Sequence, residues 1–219
     1  MENQRTALAI ARRLGGGLAT MQLDVPADVQ VKLLAYLDLL ARWNRTYNLT
    51  AVRDPAEMVS RHLLDSLAVL PFVRGTTLAD LGSGAGLPGI PLAIAQPDLR
   101  VTLVESNGKK ARFLRESVRS LPLANVRVEQ SRVQDTTGKF DTVTARAFAS
   151  LTAMLAWGGH LLANDGRWLA LKGHADPAEI AAVPDDFRLV AVHPLTVPGV
   201  GGERCVVELA RARSASMLG

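Results

Sequence analysis

The feature that most constrains this chain is the regular alternation of short apolar runs with helical stretches from residue 76 onward. Strands separated by helices need crossover connections, and such connections favour a mostly parallel, doubly wound sheet. The last two runs, FRLVAVHPLTV and ERCVVELAR, follow each other with no helical pattern between them. They predict an antiparallel hairpin at the end of the sheet. We therefore expect an α/β fold with seven strands.

Residues 1–75 have a helical character instead. Apolar residues recur between Val29 and Leu40 at spacings of four, four and three, which predicts an amphipathic helix. A polar stretch over 44–50 predicts a loop. After it, Asp54, Pro55 and Glu57 form the pattern of a capped helix that runs to about Leu70. The chain is thus predicted to have two parts, a helical extension (1–75) packed on an α/β core (76–219), which together form a single structural unit.

A glycine-rich segment, DLGSGAGLPG from Asp80 to Gly89, lies where the first strand ends and a helix begins. Glycines let the backbone approach a ligand closely, and a helix N-terminus offers free N–H donors. The spacing of Gly84, Gly86 and Gly89 also fits the dinucleotide fingerprint, which is a weak motif alone. Asp80 favours S-adenosylmethionine, because a carboxylate attracts its cationic methionine moiety and would repel a pyrophosphate. We expect this segment, Ser83 included, to bind that cofactor; a tight glycine turn with a solvated Asp80 is the alternative.

Two further positions predict contacts with an adenosyl group. Glu105 follows the second strand, roughly 20 residues past the glycines, where an acid can accept both ribose hydroxyls. That role suits NAD and S-adenosylmethionine equally, and a plain exposed glutamate is the alternative. After the third strand, a backbone N–H and the Gln134 amide are candidate partners of the adenine ring. An ordinary loop over 131–134 is the alternative there.

The strand count and the missing motifs limit the class of enzyme and the kind of atom that it could methylate. A seven-stranded sheet that ends in a hairpin is typical of Rossmann-like class I S-adenosylmethionine-dependent methyltransferases and differs from a six-stranded dehydrogenase sheet. Enzymes that methylate exocyclic amines carry an Asn/Asp-Pro-Pro-aromatic motif after the fourth strand, where this chain reads TARA. Enzymes that methylate pyrimidine C5 need a cysteine nucleophile, whereas Cys205 lies within the last predicted strand. A ring nitrogen such as guanine N7 needs no general base and remains an attractive target.

Two later strands are each predicted to have a basic residue at the carboxyl end. Arg146 stands at the end of the fourth predicted strand and Lys172 at the end of the fifth. Because positive charge passes to the purine ring during N7 methylation, neither is expected to touch the reacting nitrogen. We expect them to position guanine O6, a phosphate or the cofactor carboxylate, with a structural salt bridge as the alternative for each.

The basic residues are concentrated in one segment. The chain has a net charge of +4, and residues 100–120 alone contribute six basic side chains against two acidic ones. The helix in this segment has a buried stripe at 111, 114, 118 and 121, with Lys109, Arg112 and Arg119 off that stripe. Together with Lys110 and Lys172, they form a predicted RNA-binding set; a merely solvated face is the alternative.

Targeting and metal signals are missing from the sequence. No apolar stretch approaches the roughly 18 residues of a spanning helix, and the N-terminus lacks the apolar core of a secretory signal. The single cysteine rules out an internal disulfide, and the four scattered histidines show no metal-ligand spacing. We expect a cytoplasmic monomer with no metal and no membrane contact.

Longer motifs occur between about residues 30 and 210. They are WNRTYNLT (43–50), RHLLDS (61–66), the segment 80–92, KKARFL (109–114), SRV (131–133), ARA (145–147) and LKG (171–173). In this order they resemble the 16S ribosomal RNA guanine-N7 methyltransferases, also called glucose-inhibited division protein B. The glycine segment is shared by many methyltransferases, whereas the YNLT and RHxxDS signatures are far more specific.

The resemblance implies a defined reaction. It would be methyl transfer from S-adenosylmethionine to N7 of one guanosine in the decoding-region loop of 16S RNA, in line and without a covalent enzyme intermediate. The partner would be that RNA or a small-subunit assembly intermediate. The family's cofactor contacts carry over to Gly82, Leu87, Val133, Gln134 and Arg146. The family often has Glu at the position of Gln134, which matters little where the contact is made by the backbone.

Three polar residues of the specific motifs have two possible roles. His62 and Asp65 lie three apart on one predicted helix face, and Asn48 precedes that helix. They either tie the helical layer to the core or border the cofactor or guanine pocket, and no catalytic role is expected for any of them. Two other function classes stay open: a methyltransferase of small molecules, which needs no basic helix, and a nicotinamide dehydrogenase or nucleotide-binding module.

Overall fold

The structure, a computed structural model, describes residues 2–146 and 149–212. Ala147 of the predicted ARA motif lies outside the described residues. The strands are β1 (Thr77–Leu81), β2 (Arg100–Val104), β3 (Val126–Glu129), β4 (Phe140–Arg146), β5 (Leu162–Lys172), β6 (Phe187–Pro194) and β7 (Cys205–Arg211). They form one seven-stranded sheet in the order β3-β2-β1-β4-β5-β7-β6.

The pairing of the strands confirms the predicted fold class. The first five strands pair in parallel, and β7 runs antiparallel to both β5 and β6. The strand order reverses between β1 and β4, which are neighbours in the sheet. In open α/β sheets, ligands bind in the crevice that such a reversal leaves at the carboxyl ends of the strands. The topology therefore predicts a ligand site at the residues that follow β1 and β4.

The described helices lie before the sheet and on its two faces. The α-helices are α1 (Glu2–Thr20), α2 (Ala27–Tyr47), α3 (Pro55–Met58), α4 (Asp65–Leu67), α5 (Gly89–Ala95), α6 (Gly108–Ser120), α7 (Leu151–Gly158) and α8 (Pro177–Ala181). A π-helical segment, Val59–Leu64, joins α3 to α4. Among the described residues, no helix is both long and apolar enough to cross a membrane.

The end of α2 differs from the prediction. The loop predicted from residue 44 begins only after Tyr47, because the buried Asn44 is satisfied inside the helix. Its side-chain oxygen accepts the Thr50 N–H at 2.9 Å, and its amide donates to the Val52 carbonyl at 3.1 Å. A polar residue that predicts a loop thus holds the following segment against the last turn of the helix.

The helical extension and the core share one hydrophobic cluster. Leu33 and Tyr36 of α2 are fully buried together with Ile90 of α5 and Phe113 of α6. The rings of Tyr36 and Phe113 lie 6.4 Å apart between centroids. Burying a large apolar side chain contributes roughly 1.5–3 kcal/mol, so a cluster of this kind binds the extension firmly to the core. It supports our proposal that the two parts form a single structural unit.

Candidate active site

The glycine-rich loop occupies the crevice at the end of β1. It runs over residues 82–88 between β1 and α5. Gly84 has a φ of +58°, and a Cβ added there would meet only the Gly82 carbonyl oxygen, at 3.8 Å. The backbone at Gly84 therefore borders open space that a side chain would fill. This open space fits the ligand-binding loop that the sequence predicts, and contact with a ligand stays a prediction.

Asp80 lies beneath this loop rather than in solvent. Its carboxylate is 1% exposed and accepts the Gly89 N–H at 3.0 Å and the Thr144 hydroxyl at 3.2 Å. Burial raises the pKa of Asp80 to about 6, although these donors and the charge of Arg146 lower it in part. Asp80 thus fixes the start of α5 and joins β1 to β4. The solvated alternative is wrong, and attraction of a cationic ligand stays a prediction.

Glu105 ties the end of β2 to the glycine loop. One of its oxygens accepts the Gly84 N–H at 2.9 Å, and the other accepts the Asn107 N–H at 2.7 Å. The side chain is buried, so the alternative of a plain exposed glutamate is wrong. A carboxylate has about four lone-pair positions, so two bonds leave acceptor capacity for hydroxyl groups of a ribose.

The adenine side of the crevice follows β3. Residues Val133–Asp135 form a short 3₁₀ helix, with Val133 buried and Gln134 exposed. The structure thus places both residues at the carboxyl edge of the sheet. Their contact with an adenine ring stays a prediction, as do the contacts predicted for Gly82, Ser83, Gly86 and Leu87.

A cavity of about 350 Å³ lies at the carboxyl ends of β4 and β5. Its described lining has four cationic side chains and one carboxylate. The other lining residues are His62, Cys205 and several apolar or glycine residues. The charged lining residues are Arg61, Asp65, Arg146, Lys172 and Arg204. Ala145, next to the lining residue Arg146, pairs with Leu81, next to the glycine loop, so the cavity and the loop lie at the ends of neighbouring strands.

Asp65 organises two of these cations. Arg146 donates to one of its oxygens at 3.1 Å, and the Arg204 guanidinium lies 3.5 Å from the other. The side chains of Arg146 and Arg204 remain 24% and 33% exposed, so both can still meet a ligand. Arg146 therefore forms the salt bridge that was its alternative interpretation, and it also lines the cavity.

His62 lines the cavity from the π-helical segment, whereas Asn48 has a different place. The His62 Nε2 lies 2.9 Å from the Thr50 hydroxyl, and burial lowers the pKa of His62 to about 4. Asn48 is exposed, ends α2 with a left-handed φ of 50°, and accepts a bond from Arg53. Of the three polar residues in the specific motifs, His62 and Asp65 border the cavity, and Asn48 shapes the helix end.

The predicted RNA-binding residues divide into two groups. Lys109 and Arg112 are exposed and line a shallow groove at the start of α6 with Asn107, whose side chain caps that helix. Lys110 is half-buried in the same first turn. These three cations remain available to solvent, and their contact with RNA stays a prediction.

The other two cations have partners within the protein. Arg119 forms a two-point ion pair with Glu116, with contacts of 2.8 and 2.9 Å. Lys172 lies 2.8 Å from Glu179 of α8 and donates to the Ala149 carbonyl at 3.0 Å. Lys172 therefore forms the salt bridge that was its alternative interpretation. Arg119, for which a merely solvated face was the alternative, is exposed but paired with Glu116. Any role of either residue in RNA contact stays a prediction.

Some residues of the site were not found from the sequence. Tyr36 of α2 donates its hydroxyl to the Ala85 carbonyl in the glycine loop. Arg61 and Arg204 line the cavity but lie far from each other and from Arg146 in the chain. The apolar stripe of α2 could have indicated that Tyr36 is buried. No local sequence pattern indicates that Arg61 and Arg204 meet Arg146, because the three residues lie so far apart in the chain.

Comparison with known proteins decides the family. Residues 29–207 match the GidB family, described as rRNA small subunit methyltransferase G. A ribosomal RNA small subunit methyltransferase G from Xanthomonas campestris pv. campestris (strain 8004) is 56% identical over 200 residues, 90% of this chain and 93% of that protein. The protein of the same description from Stenotrophomonas maltophilia (strain K279a) is 57% identical, over 91% of this chain and 94% of the relative.

The chain belongs to this family. It is accordingly an S-adenosylmethionine-dependent methyltransferase, and the dehydrogenase alternative that the glycine spacing left open is wrong. The predicted enzyme class and cofactor are confirmed.

Solved structures share the fold of this GidB family member at low identity. TrmN from Thermus thermophilus has a TM-score of 0.56 and 18% identity, covering 70% of this chain and 53% of that one. The glycopeptide N-methyltransferase MtfA, solved with S-adenosyl-L-methionine, has a TM-score of 0.56 and 13% identity, covering 69% and 95%. At such identities the likeness shows the fold alone.

Proposed function

We propose that this enzyme methylates N7 of one guanosine in the decoding-region loop of 16S ribosomal RNA. The single observation that carries the proposal is the basic cavity that adjoins the glycine loop at the ends of β4 and β5. Its four cations suit an anionic RNA, and the relatives from Xanthomonas and Stenotrophomonas are described as small-subunit rRNA methyltransferases.

The residues around the glycine loop fit S-adenosylmethionine. The open space over Gly84, the Glu105 carboxylate and the buried Asp80 offer room, a hydroxyl acceptor and a negative charge. When bound, the cofactor supplies an electrophilic methyl group on a cationic sulfur. We propose that the loop and Glu105 hold its adenosyl part, with Gln134 beside the adenine ring. Arg146, between this loop and the cavity, would position the RNA or the cofactor carboxylate.

The cavity supports a reaction that needs no general base. Among its described lining residues, Asp65 is occupied by Arg146 and Arg204. His62 holds a proton poorly near neutral pH, because burial lowers its pKa to about 4. Burial also raises the pKa of the Cys205 thiol, so the nucleophilic thiolate is disfavoured. Guanine N7 already has a free lone pair, so alignment of the reactants is sufficient, and no covalent enzyme intermediate is required.

The substrate must present an accessible guanine. A base reaches such a cavity only when it is unstacked or lies in a loop, so folded RNA or a small-subunit assembly intermediate fits better than a free nucleotide. We further propose that the enzyme works as a monomer in the cytoplasm, where these substrates occur.

Mass mapping of 16S RNA from a deletion strain tests the proposal. The RNA should lack one 7-methylguanosine, and adding back the purified protein with S-adenosylmethionine should restore it. The Gly84→Asp protein serves as the inactive control. An unchanged methylation pattern in the deletion strain, or restoration at a different atom or nucleotide, would contradict the proposed specificity.

A further inference from the structure

A buried tyrosine of the helical extension contacts the cofactor loop. The Tyr36 hydroxyl, on α2, donates to the carbonyl oxygen of Ala85 at 2.6 Å, and the side chain is 0% exposed. The ring packs against Phe113 of α6, 6.4 Å away between centroids. Burial raises the pKa of Tyr36, so the hydroxyl keeps its proton and remains a donor.

The other restraints on this loop come from the core and from the loop itself. Glu105 holds the Gly84 N–H at 2.9 Å, and the Val104 carbonyl holds the Ser83 N–H at 3.0 Å. Asp80 holds the N–H of Gly89 where α5 begins. These contacts fix N–H groups at the two ends of the loop, and within the loop the Ser83 carbonyl accepts the N–H groups of Gly86 and Leu87 at 2.7 and 3.0 Å. Tyr36 fixes a carbonyl in the middle, and it does so from a helix 49 residues earlier in the chain.

We infer that Tyr36 is a positioning residue for cofactor binding: its hydroxyl orients the Ala85 peptide, and with it the curve of the loop around S-adenosylmethionine. Without this bond, the middle of the loop has more conformations available, and binding must restrict them. The helical extension is therefore part of the cofactor site as well as a neighbour of the substrate cavity. The inference rests on the proposed placement of the cofactor on the glycine loop.

The test compares the affinity of Tyr36→Phe and wild-type enzyme for S-adenosylhomocysteine by calorimetry. The variant keeps the ring and loses the hydroxyl, and we expect about 5- to 10-fold weaker binding, the effect of losing one hydrogen bond of this strength. The KM for S-adenosylmethionine should rise by the same factor, whereas kcat at saturating cofactor should be retained. A purely structural role would lower the Tm and leave Kd and KM of the folded enzyme unchanged.

Two control variants separate the hydroxyl from general effects. Tyr47→Phe makes the same chemical change at the end of the same helix, where the side chain is 38% exposed. Leu40→Ala weakens α2 packing, because Leu40 is 0% exposed. Both should keep the wild-type Kd, although Leu40→Ala lowers the Tm. Equal loss of affinity in Leu40→Ala and Tyr36→Phe, or a wild-type Kd in Tyr36→Phe, would overturn the inference.

A second measurement needs no destabilising variant. The chain has two tyrosines, so the enzyme labelled with 3-fluorotyrosine gives two fluorine resonances, which Tyr47→Phe assigns. S-adenosylhomocysteine should shift the Tyr36 resonance and leave that of Tyr47 in place. A Tyr36 signal that does not respond to saturating ligand would refute the inference. Failure of the wild-type enzyme to bind S-adenosylhomocysteine would instead contradict the proposed cofactor site.

Discussion

At the level of single residues, Asp80 is a carboxylate that solvent barely reaches, held by the Gly89 N–H and the Thr144 hydroxyl. Its charge is therefore little screened by water, and its ionisation matters for any ligand above the loop. Because burial raises the pKa of Asp80 to about 6, the residue changes charge in a pH range where the enzyme can be studied.

We expect the affinity for S-adenosylmethionine to increase as the pH rises from 5 to 7. The folded-state pKa of Asp80, about 6, lies above the ordinary value of 3.8, so lowering the pH through 6 protonates the carboxylate and removes its attraction for the sulfonium. Calorimetry across this range measures the effect. Asp80→Asn should flatten the profile, and S-adenosylhomocysteine, which has no sulfonium, should show a smaller change. Parallel profiles for wild type and variant would contradict a direct electrostatic role.

Arg146→Ala should lower kcat/KM for the RNA substrate by at least about 10-fold, because a charge-assisted partner is lost in the cavity. Arg167→Ala is the matched control, since Arg167 forms a 3.1 Å ion pair with the buried Glu208 on the same sheet and is similarly exposed, at 29%. That variant should retain activity. Steady-state methylation assays and circular dichroism check both. Wild-type rates for Arg146→Ala would reassign the residue to a structural role.

At the level of elements, the glycine loop owes its function to the space that it leaves open. Gly84→Asp should fold and lose detectable binding of S-adenosylhomocysteine, because the new side chain fills this space with a second carboxylate. Gly202→Asp is a fair comparison, because Gly202 also has a positive φ, +81°, and nothing within 4 Å of an added Cβ. Calorimetry should show wild-type affinity for that control. Unchanged affinity in Gly84→Asp would move the cofactor site elsewhere.

The first turn of α6 offers a second test at this level. Replacing Lys109 and Arg112 together by alanine should weaken binding to 16S RNA. If each cation contacts one phosphate, the slope of log K against log salt concentration should become less steep by an amount on the order of 1.5. Arg119→Ala should change the slope less, since its guanidinium is paired with Glu116. Binding titrations at several salt concentrations measure both. Equal slopes for all three proteins would remove α6 from the RNA interface.

At the level of the whole molecule, the cluster shared by the extension and the core predicts cooperative unfolding. Tryptophan fluorescence and far-ultraviolet circular dichroism should follow a single urea transition, because Trp43 of α2 packs on Phe113 of α6 with centroids 5.6 Å apart. Two separate transitions would show that residues 1–75 form an independent unit.

The sequence predicted the features that depend on local pattern. Strand and helix periodicity gave the sheet, its terminal hairpin and the glycine bend, since these follow from neighbouring residues. It missed side-chain contacts that form only once the elements have packed, even where the partners are close in the chain. Asn44 looked like a loop residue until Thr50 and Val52 supplied its bonds, and the pairing of Lys172 with Glu179 depends on where α8 packs. The bond from Tyr36 to Ala85 likewise required the packed structure.

The walls of the basic cavity come from widely separated parts of the polypeptide: Arg61, Arg146 and Arg204. The strand that begins at Cys205 also inserts between β5 and β6, which are made before it. The third wall of the cavity, at Arg204 and Cys205, therefore stands at the start of a strand that is paired along both of its edges, and a change that loosens this strand should open the cavity while the glycine loop keeps its own contacts.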